Sequence, residues 1–273
     1  MARFLVVPQW QGSPSSRAMA HIDGAEAIAG DLPRSACTEV PVPLEAGDAQ
    51  GTGVLRASAL QRVREAVAAA LEENAGADTT VVVGGDCGVA VPAIGQVAGD
   101  DLAVVWFDAH ADLHDPSTSP SGAYSGMALR SVLGDGEPIL ALPRGGVAPE
   151  RVVLVGARLL EDEEAAFIAA SGIHHLPCAD FSPAALVEAV AATGAKRIYV
   201  HVDLDVLDPA HMSGVTAPAP FGLEPAEVVA GIAALRAELP LAGASIAGFA
   251  PPSPAAAVDD MGAILRVVGA LAR

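Results

Sequence analysis

The stretch Leu102-Ala103-Val104-Val105-Trp106-Phe107-Asp108-Ala109-His110-Ala111-Asp112 decides how this chain is read. Its first six residues form an unbroken apolar run, the pattern of a strand buried on both faces. The run then delivers two carboxylates and an imidazole, spaced two apart. Residues i, i+2 and i+4 share one face of an extended chain. Unpaired buried charge is costly, so three such groups at a strand end call for a partner, and a metal ion is the natural one.

Outward from this strand, apolar runs alternate with helical periodicities. Toward the N-terminus, Arg3–Val7 reads as a strand, 16–30 as a helix and 38–42 as a short strand before a Gly/Asp-rich loop over 45–53. Leu60, Val63, Val67 and Leu71 fall at helical spacing and predict an amphipathic helix over 55–74. A β-branched strand, 79–83, leads into Gly84-Gly85-Asp86-Cys87, with a helix starting near Gly88. Toward the C-terminus the pattern predicts helix 125–133, a Gly/Pro-rich connection 134–149, strand Val152–Val155, helix 161–170, strand 173–176 and helix 183–193. Strand 197–202, helix 225–239, strand 244–250 and helix 257–272 complete it. Strands alternating with helices predict an α/β fold, a mainly parallel sheet covered on both faces, with ligands beyond the carboxyl ends of the strands. No linker or repeat divides 1–273, so one domain is expected.

With 52% hydrophobic residues but only 4% aromatic, the core is expected to be built from short side chains. The formal net charge is −18 and Lys196 is the only lysine. Nucleic-acid phosphates need a basic footprint, so no nucleic-acid partner is expected, nor an anionic membrane surface. The phosphate-loop motif is absent, since no Gly-Lys-Ser/Thr occurs. No run reaches the length of a membrane span, and a strand-like segment begins almost at the N-terminus, unlike a signal peptide. A soluble cytoplasmic protein is expected. Cys37, Cys87 and Cys178 are odd in number and far apart, which predicts reduced thiols rather than a disulfide framework.

A second acidic cluster, Asp203-Leu204-Asp205-Val206-Leu207-Asp208-Pro209, follows strand 197–202 directly. A single Asp after a strand commonly caps a helix or forms a turn. Two strand-end clusters holding several carboxylates and a histidine instead predict a metal site, with oxygen ligands and one imidazole suiting manganese, magnesium or a similar divalent ion. One ion neutralises too little of this charge. Two ions bridged by shared carboxylates, typically about 3.5–4 Å apart, balance it better and imply metal-assisted hydrolysis.

These motifs resemble signatures of the ureohydrolase family, which includes the arginases and agmatinases. The likeness runs from Gly84-Gly85-Asp86 to the final strand, and the element order fits nearly the whole chain. It implies a three-layer α/β/α sandwich and a two-manganese (Mn2+) centre. By the same resemblance Asp108 and Asp203 bridge the ions, Asp112 holds the first ion and orients the nucleophile, and His110 and Asp205 hold the second. It also implies a small amino-acid substrate and a homo-oligomer, commonly a trimer or hexamer.

The departures bear on the substrate. The family's turn normally ends Gly-Gly-Asp-His, with the histidine a ligand of the first ion, but here Cys87 stands there. A metal deprotonates a coordinating thiol, so Cys87 is expected as a ligand or near-ligand, against the alternative of a neutral thiol beside a metal with fewer ligands. The loop from His114 to Gly126 aligns with the arginase loop without a gap. Ser121 matches a serine that binds the substrate's α-carboxylate, and His114 replaces an asparagine with a similar role. Glu161 aligns with an acid that meets the α-amino group, though it would also suit a helix start. Ser125 stands where arginases carry a proton-shuttling histidine, and Gly248 where the family has a glutamate that pairs with the guanidinium. The metal ligands are kept and the guanidine-handling groups changed. The resemblance is therefore nearest to the branch that carries the cysteine and hydrolyses Nω-hydroxy-L-arginine to ornithine and hydroxyurea in D-cycloserine biosynthesis. An agmatinase-like or guanidino-acid hydrolase and a non-catalytic metal-binding relative are the alternatives.

Overall fold

The computed structural model describes residues 2–74, 76 and 79–272. Within them, β1 (Arg3–Val7), β2 (Cys37–Glu39), β3 (Thr80–Gly84), β4 (Leu102–Phe107), β5 (Val152–Val155), β6 (His174–Leu176), β7 (Arg197–Asp203) and β8 (Leu241–Ala247) form one sheet. Its order is β2-β1-β3-β8-β7-β4-β5-β6, and every neighbouring pair is parallel. The helices are α1 (Ala20–Gly30), α2 (Ala57–Glu73), α3 (Ala90–Val97), α4 (Ala128–Val132), α5 (Asp162–Ser171), α6 (Pro183–Ala192), α7 (Pro225–Glu238) and α8 (Val258–Ala272).

Alternation along β4 shows how the three layers arise. Leu102, Val104 and Trp106 point into one core with residues of α2, α3 and α4. Ala103, Val105 and Phe107 point into the other with residues of α1, α6, α7 and α8. A strand covered on both sides cannot alternate apolar with polar, which is why this one reads as a continuous apolar run.

Some boundaries move for identifiable reasons. The helix expected over 16–30 begins at Ala20, because residues before it form short turns, with Ser15 Oγ accepting from Arg17 N. Strand 38–42 shrinks to Cys37–Glu39, since Pro41 and Pro43 have no N–H to offer a ladder. The segment 125–133 divides into a 3₁₀ turn, Ser125–Met127, and the short α4. The last strand runs three residues earlier than expected, because Gly248, at φ +87°, turns the chain out of the sheet.

Registers bring the acidic clusters together. Trp106 pairs with His201 and Phe107 with Val202, so Asp108 and Asp203 leave adjacent strands side by side. Beside them, Gly85 N donates to Val7 O, Asp86 N to Gln9 O and Gly248 N to Gly85 O, joining the ends of β1, β3 and β8. Across the sheet, the Arg158 guanidinium donates to the carbonyls of Gly156, Asp205, Val206, Ala219 and Pro220, tying the segment after β5 to the long connection after β7.

A Cβ on Gly85 would lie 1.6 Å from the Gln9 carbonyl oxygen, a clash with backbone that no rotamer relieves. Gly85→Ala is therefore expected to destabilise the fold by at least ~2 kcal/mol, read as a lower midpoint in urea denaturation.

Candidate metal centre

The end of β4 is shaped by its own carboxylates. Asp108 Oδ1 accepts from His110 N at 2.7 Å, and Trp106 Nε1 donates to Asp108 Oδ2 at 3.2 Å. His110 Nδ1 lies 3.0 Å from Asp205 Oδ2 and 3.4 Å from Asp108 Oδ1. Burial opposes charge on His110, yet the Asp108 and Asp205 carboxylates outweigh it and push its pKa up to about 12. Asp112 adopts a left-handed backbone, φ +56°, a conformation aspartate tolerates better than most residues. Its Oδ2 is buried without a hydrogen-bond partner among the described residues.

The end of β7 completes the cluster. Asp203 Oδ1 accepts from Asp205 N at 2.8 Å, and Asp205 Oδ1 from Ala109 N at 3.0 Å. Cys87 Sγ sits 2.8 Å from Asp203 Oδ2 and 3.8 Å from Asp108 Oδ2. Burial, with the charges of Asp203, Asp112 and Asp108, raises the Cys87 pKa. Burial also raises Asp203, to about 7, helped by Asp205, and moves Asp108, Asp112 and Asp205 upward. Asp86, buried but bonded by Gln9 Nε2, Gly12 N and Gly88 N, anchors the turn that carries Cys87.

Four buried carboxylates raised by burial and neighbouring charge, with one oxygen unpartnered, have the chemistry of a cation site rather than of a settled polar network. Two sets of donor atoms within 4.8 Å of one another occur among the described residues: Cys87, Asp108 and His201, and Asp108, His110 and Asp205. Asp108 is common to both, so the residues fit two neighbouring divalent ions.

All ten residues singled out from the sequence line one cavity of about 470 Å³: Cys87, Asp108, His110, Asp112, His114, Ser121, Ser125, Glu161, Asp203 and Asp205. His114 Nε2 lies 3.5 Å from Glu161 Oε2 and 3.7 Å from Glu164 Oε2. Ser121 Oγ accepts from Ala123 N, and Ser125 is tethered through its N–H to Gly12 O. Glu161 caps α5 in a reciprocal capping box with Glu164, so its helix-start role is real, yet its side chain remains 54% exposed at the cavity.

Sequence reasoning passed over three residues here. Glu164 is buried, accepts from Leu113 N and lines the cavity. His21 also lines it, with Nδ1 bonded to Phe249 O, and burial lowers its pKa to about 4. His201 lies beneath the cluster on β7. Its signal was present: His201, Asp203 and Asp205 repeat at two-residue spacing, and a histidine inside an apolar strand is a conspicuous polar group. Gly248 is where side-chain chemistry is missing, for a Cβ there would lie 2.2 Å from Asp203 Oδ1.

Protons compete with metal at this cluster. Asp203 is raised from 3.8 to about 7, so its contribution to the metal-free fold is full below pH ~4 and lost as pH rises through ~7. A bound cation removes that loss. The rise in Tm on adding Mn2+ is therefore expected to be small at pH 5 and large at pH 8, measured by thermal unfolding; an equal rise at both would contradict the assignment.

A family model for the arginase family matches residues 20–267. An arginase of Staphylococcus aureus is 32% identical over 164 residues, which cover 56% of this chain and 53% of that protein. The chain thus spans about half the length of the curated arginases it matches. The N(omega)-hydroxy-L-arginine amidinohydrolase of Streptomyces lavendulae is 29% identical over 208 residues, covering 76% of this chain and 72% of that protein. Among solved structures, the arginase of Bacillus caldovelox aligns over 98% of each chain with a TM-score of 0.81 and 25% identity. That of Entamoeba histolytica aligns over 98% of each with 0.84 and 20% identity, a likeness of fold alone. With the eight-stranded parallel sheet and the paired strand-end carboxylates, these matches establish that the chain belongs to the arginase family.

Proposed function

We propose that residues 1–273 form one ureohydrolase-like domain that hydrolyses a guanidine-type substrate at a two-metal centre. The substrate that suits it best is Nω-hydroxy-L-arginine, cleaved to L-ornithine and hydroxyurea. The observation that carries this reading is Gly248. Its positive φ and the 2.2 Å approach of any Cβ to Asp203 Oδ1 bar a carboxylate side chain from the position the resemblance assigns to the guanidinium's partner.

Beside Gly248 the cavity offers His21. The Phe249 carbonyl accepts only, so His21 Nδ1 donates to it. At neutral pH the ring is uncharged, which makes its other nitrogen an acceptor. A neutral acceptor suits a neutral N-hydroxyguanidine and its hydroxyl, whereas a cationic guanidinium needs a counter-charge.

Asp108, Asp203, Asp205, His110, Asp112 and Cys87 would hold the ions, with Mn2+ implied by the resemblance. When bound they would supply Lewis acidity and make water more acidic. The chain's own groups then do the rest. Asp112, through its unpartnered oxygen, accepts a hydrogen bond from the attacking water and orients it. Ser121 and His114 bond the α-carboxylate, and Glu161 meets the α-amino group. The water oxygen bonds to the central carbon as the carbon–Nδ bond breaks. One water proton ends on the hydroxyimino nitrogen and the other on the departing ornithine amine. The three free cysteines suit a reducing cytoplasm, and by the resemblance the hydroxyurea would feed antibiotic biosynthesis.

With Mn2+ present, kcat/KM for hydroxyarginine is expected to exceed that for arginine or agmatine by at least about tenfold, ~1.4 kcal/mol. A preference for agmatine or a guanidino acid would point to that substrate instead, and no turnover in a metal-loaded sample would make the chain a non-catalytic relative. Cys87→His is expected to move the ratio toward arginine; an unchanged ratio would remove Cys87 from the determinants of selectivity.

A further inference from the structure

We infer that His201 is a metal ligand: with Cys87 and Asp108 it forms a nitrogen, sulfur and carboxylate site at the first metal position, one that favours a softer divalent ion than its oxygen-rich neighbour. The inference rests on the two-metal reading of the cavity and refines it.

His201 is fully buried in β7. Its Nδ1 is 2.8 Å from Ser245 Oγ on the neighbouring β8, and its Nε2 has no hydrogen-bond partner among the described residues. A buried polar atom left unpaired is costly, so it calls for an occupant. A His201 ring nitrogen, Cys87 Sγ and an Asp108 carboxylate oxygen lie within 4.8 Å of one another, and Nε2 is the ring nitrogen with no partner of its own among the described residues. A point within about 2.8 Å of all three therefore exists, and movements of up to ~0.8 Å bring it to metal–nitrogen and metal–sulfur lengths of ~2.0–2.3 Å.

The imidazole is also held as ligating histidines are held. Trp106 lies against its face, ring centroids 3.8 Å apart, and Trp106 Nε1 bonds Asp108 Oδ2, so one indole supports two of the three donors. In the tautomer that carries its proton on Nδ1, His201 donates to Ser245 Oγ, and the Nε2 lone pair is left free for an ion. Thiolate and imidazole donors suit zinc, cobalt(II) or iron(II), whereas carboxylates suit manganese. Asp108, shared between both sets, joins the two unequal sites.

Cobalt(II) is a suitable probe, because a thiolate ligand gives it a near-ultraviolet charge-transfer band. Titrated into the metal-free full chain, cobalt is expected to produce this band, and Cys87→Ser to remove it. His201→Phe keeps a ring against Trp106 but has no donor; it is expected to weaken the thiolate-bearing site by at least about tenfold and to shift the d–d bands. X-ray absorption of the cobalt-loaded His110→Asn variant is expected to show sulfur together with imidazole scattering. This measurement leaves His201 intact and decides the matter even if His201→Phe does not fold. Sulfur without imidazole, or an unaltered cobalt spectrum and affinity in folded His201→Phe, would overturn the role of His201 while leaving the two-metal reading standing. Wild-type chain that binds neither cobalt nor manganese would overturn both.

Discussion

The mutual repulsion of buried carboxylates is the constraint to which the rest of the structure answers. Asp108 and Asp203 emerge side by side from adjacent central strands, with Asp112 and Asp205 close by. Burial and neighbouring like charge drive all four toward protonation. The fold relieves part of this with backbone N–H groups, from His110 to Asp108, from Asp205 to Asp203 and from Ala109 to Asp205. The imidazolium of His110 relieves more. What remains is a cluster whose balance needs cations, and the two apolar layers that exclude water from β4 and β7 make that need stronger.

The architecture was legible because a parallel sheet leaves a distinctive trace: β4 and its neighbours are apolar on both faces, and the chemistry stands where each run stops. Asp108, His110, Asp112, Asp203 and Asp205 could be named from that rule alone, and the resemblance added the loop residues. What could not be read depended on register. His201 had a sequence signal in its spacing from Asp203 and Asp205, but its neighbours did not: β7 sets it opposite Trp106 on one side and Ser245 on the other. His21 depends on the approach of α1 to the end of β8, where Gly24 nearly touches the Phe249 carbonyl. Boundaries failed where local backbone chemistry outweighed periodicity, at Pro41 and Pro43 after β2 and at Gly248 after β8.

Gly248 and Cys87 both border the Asp203 carboxylate. One removes a side chain so that the carboxylate can occupy the space, and the other sets a thiol 2.8 Å from its second oxygen. The surroundings of this single aspartate thus differ in both size and softness from those of Asp205, which meets an imidazole and a backbone amide.

The five carbonyls gathered by Arg158 have a consequence for how the protein reaches its folded form. A guanidinium loses its water only when all its acceptors are present, and these lie as far as 62 residues along the chain from Arg158. The segment after β5 and the connection after β7 must therefore dock together. β4 and β7 are themselves joined by pairing over nearly a hundred positions, Leu102 to Arg197, and such non-local closure is slow. The cavity is complete only when both long-range closures are made, so a site that draws donors from the ends of β4 and β7 exists only in the assembled sheet.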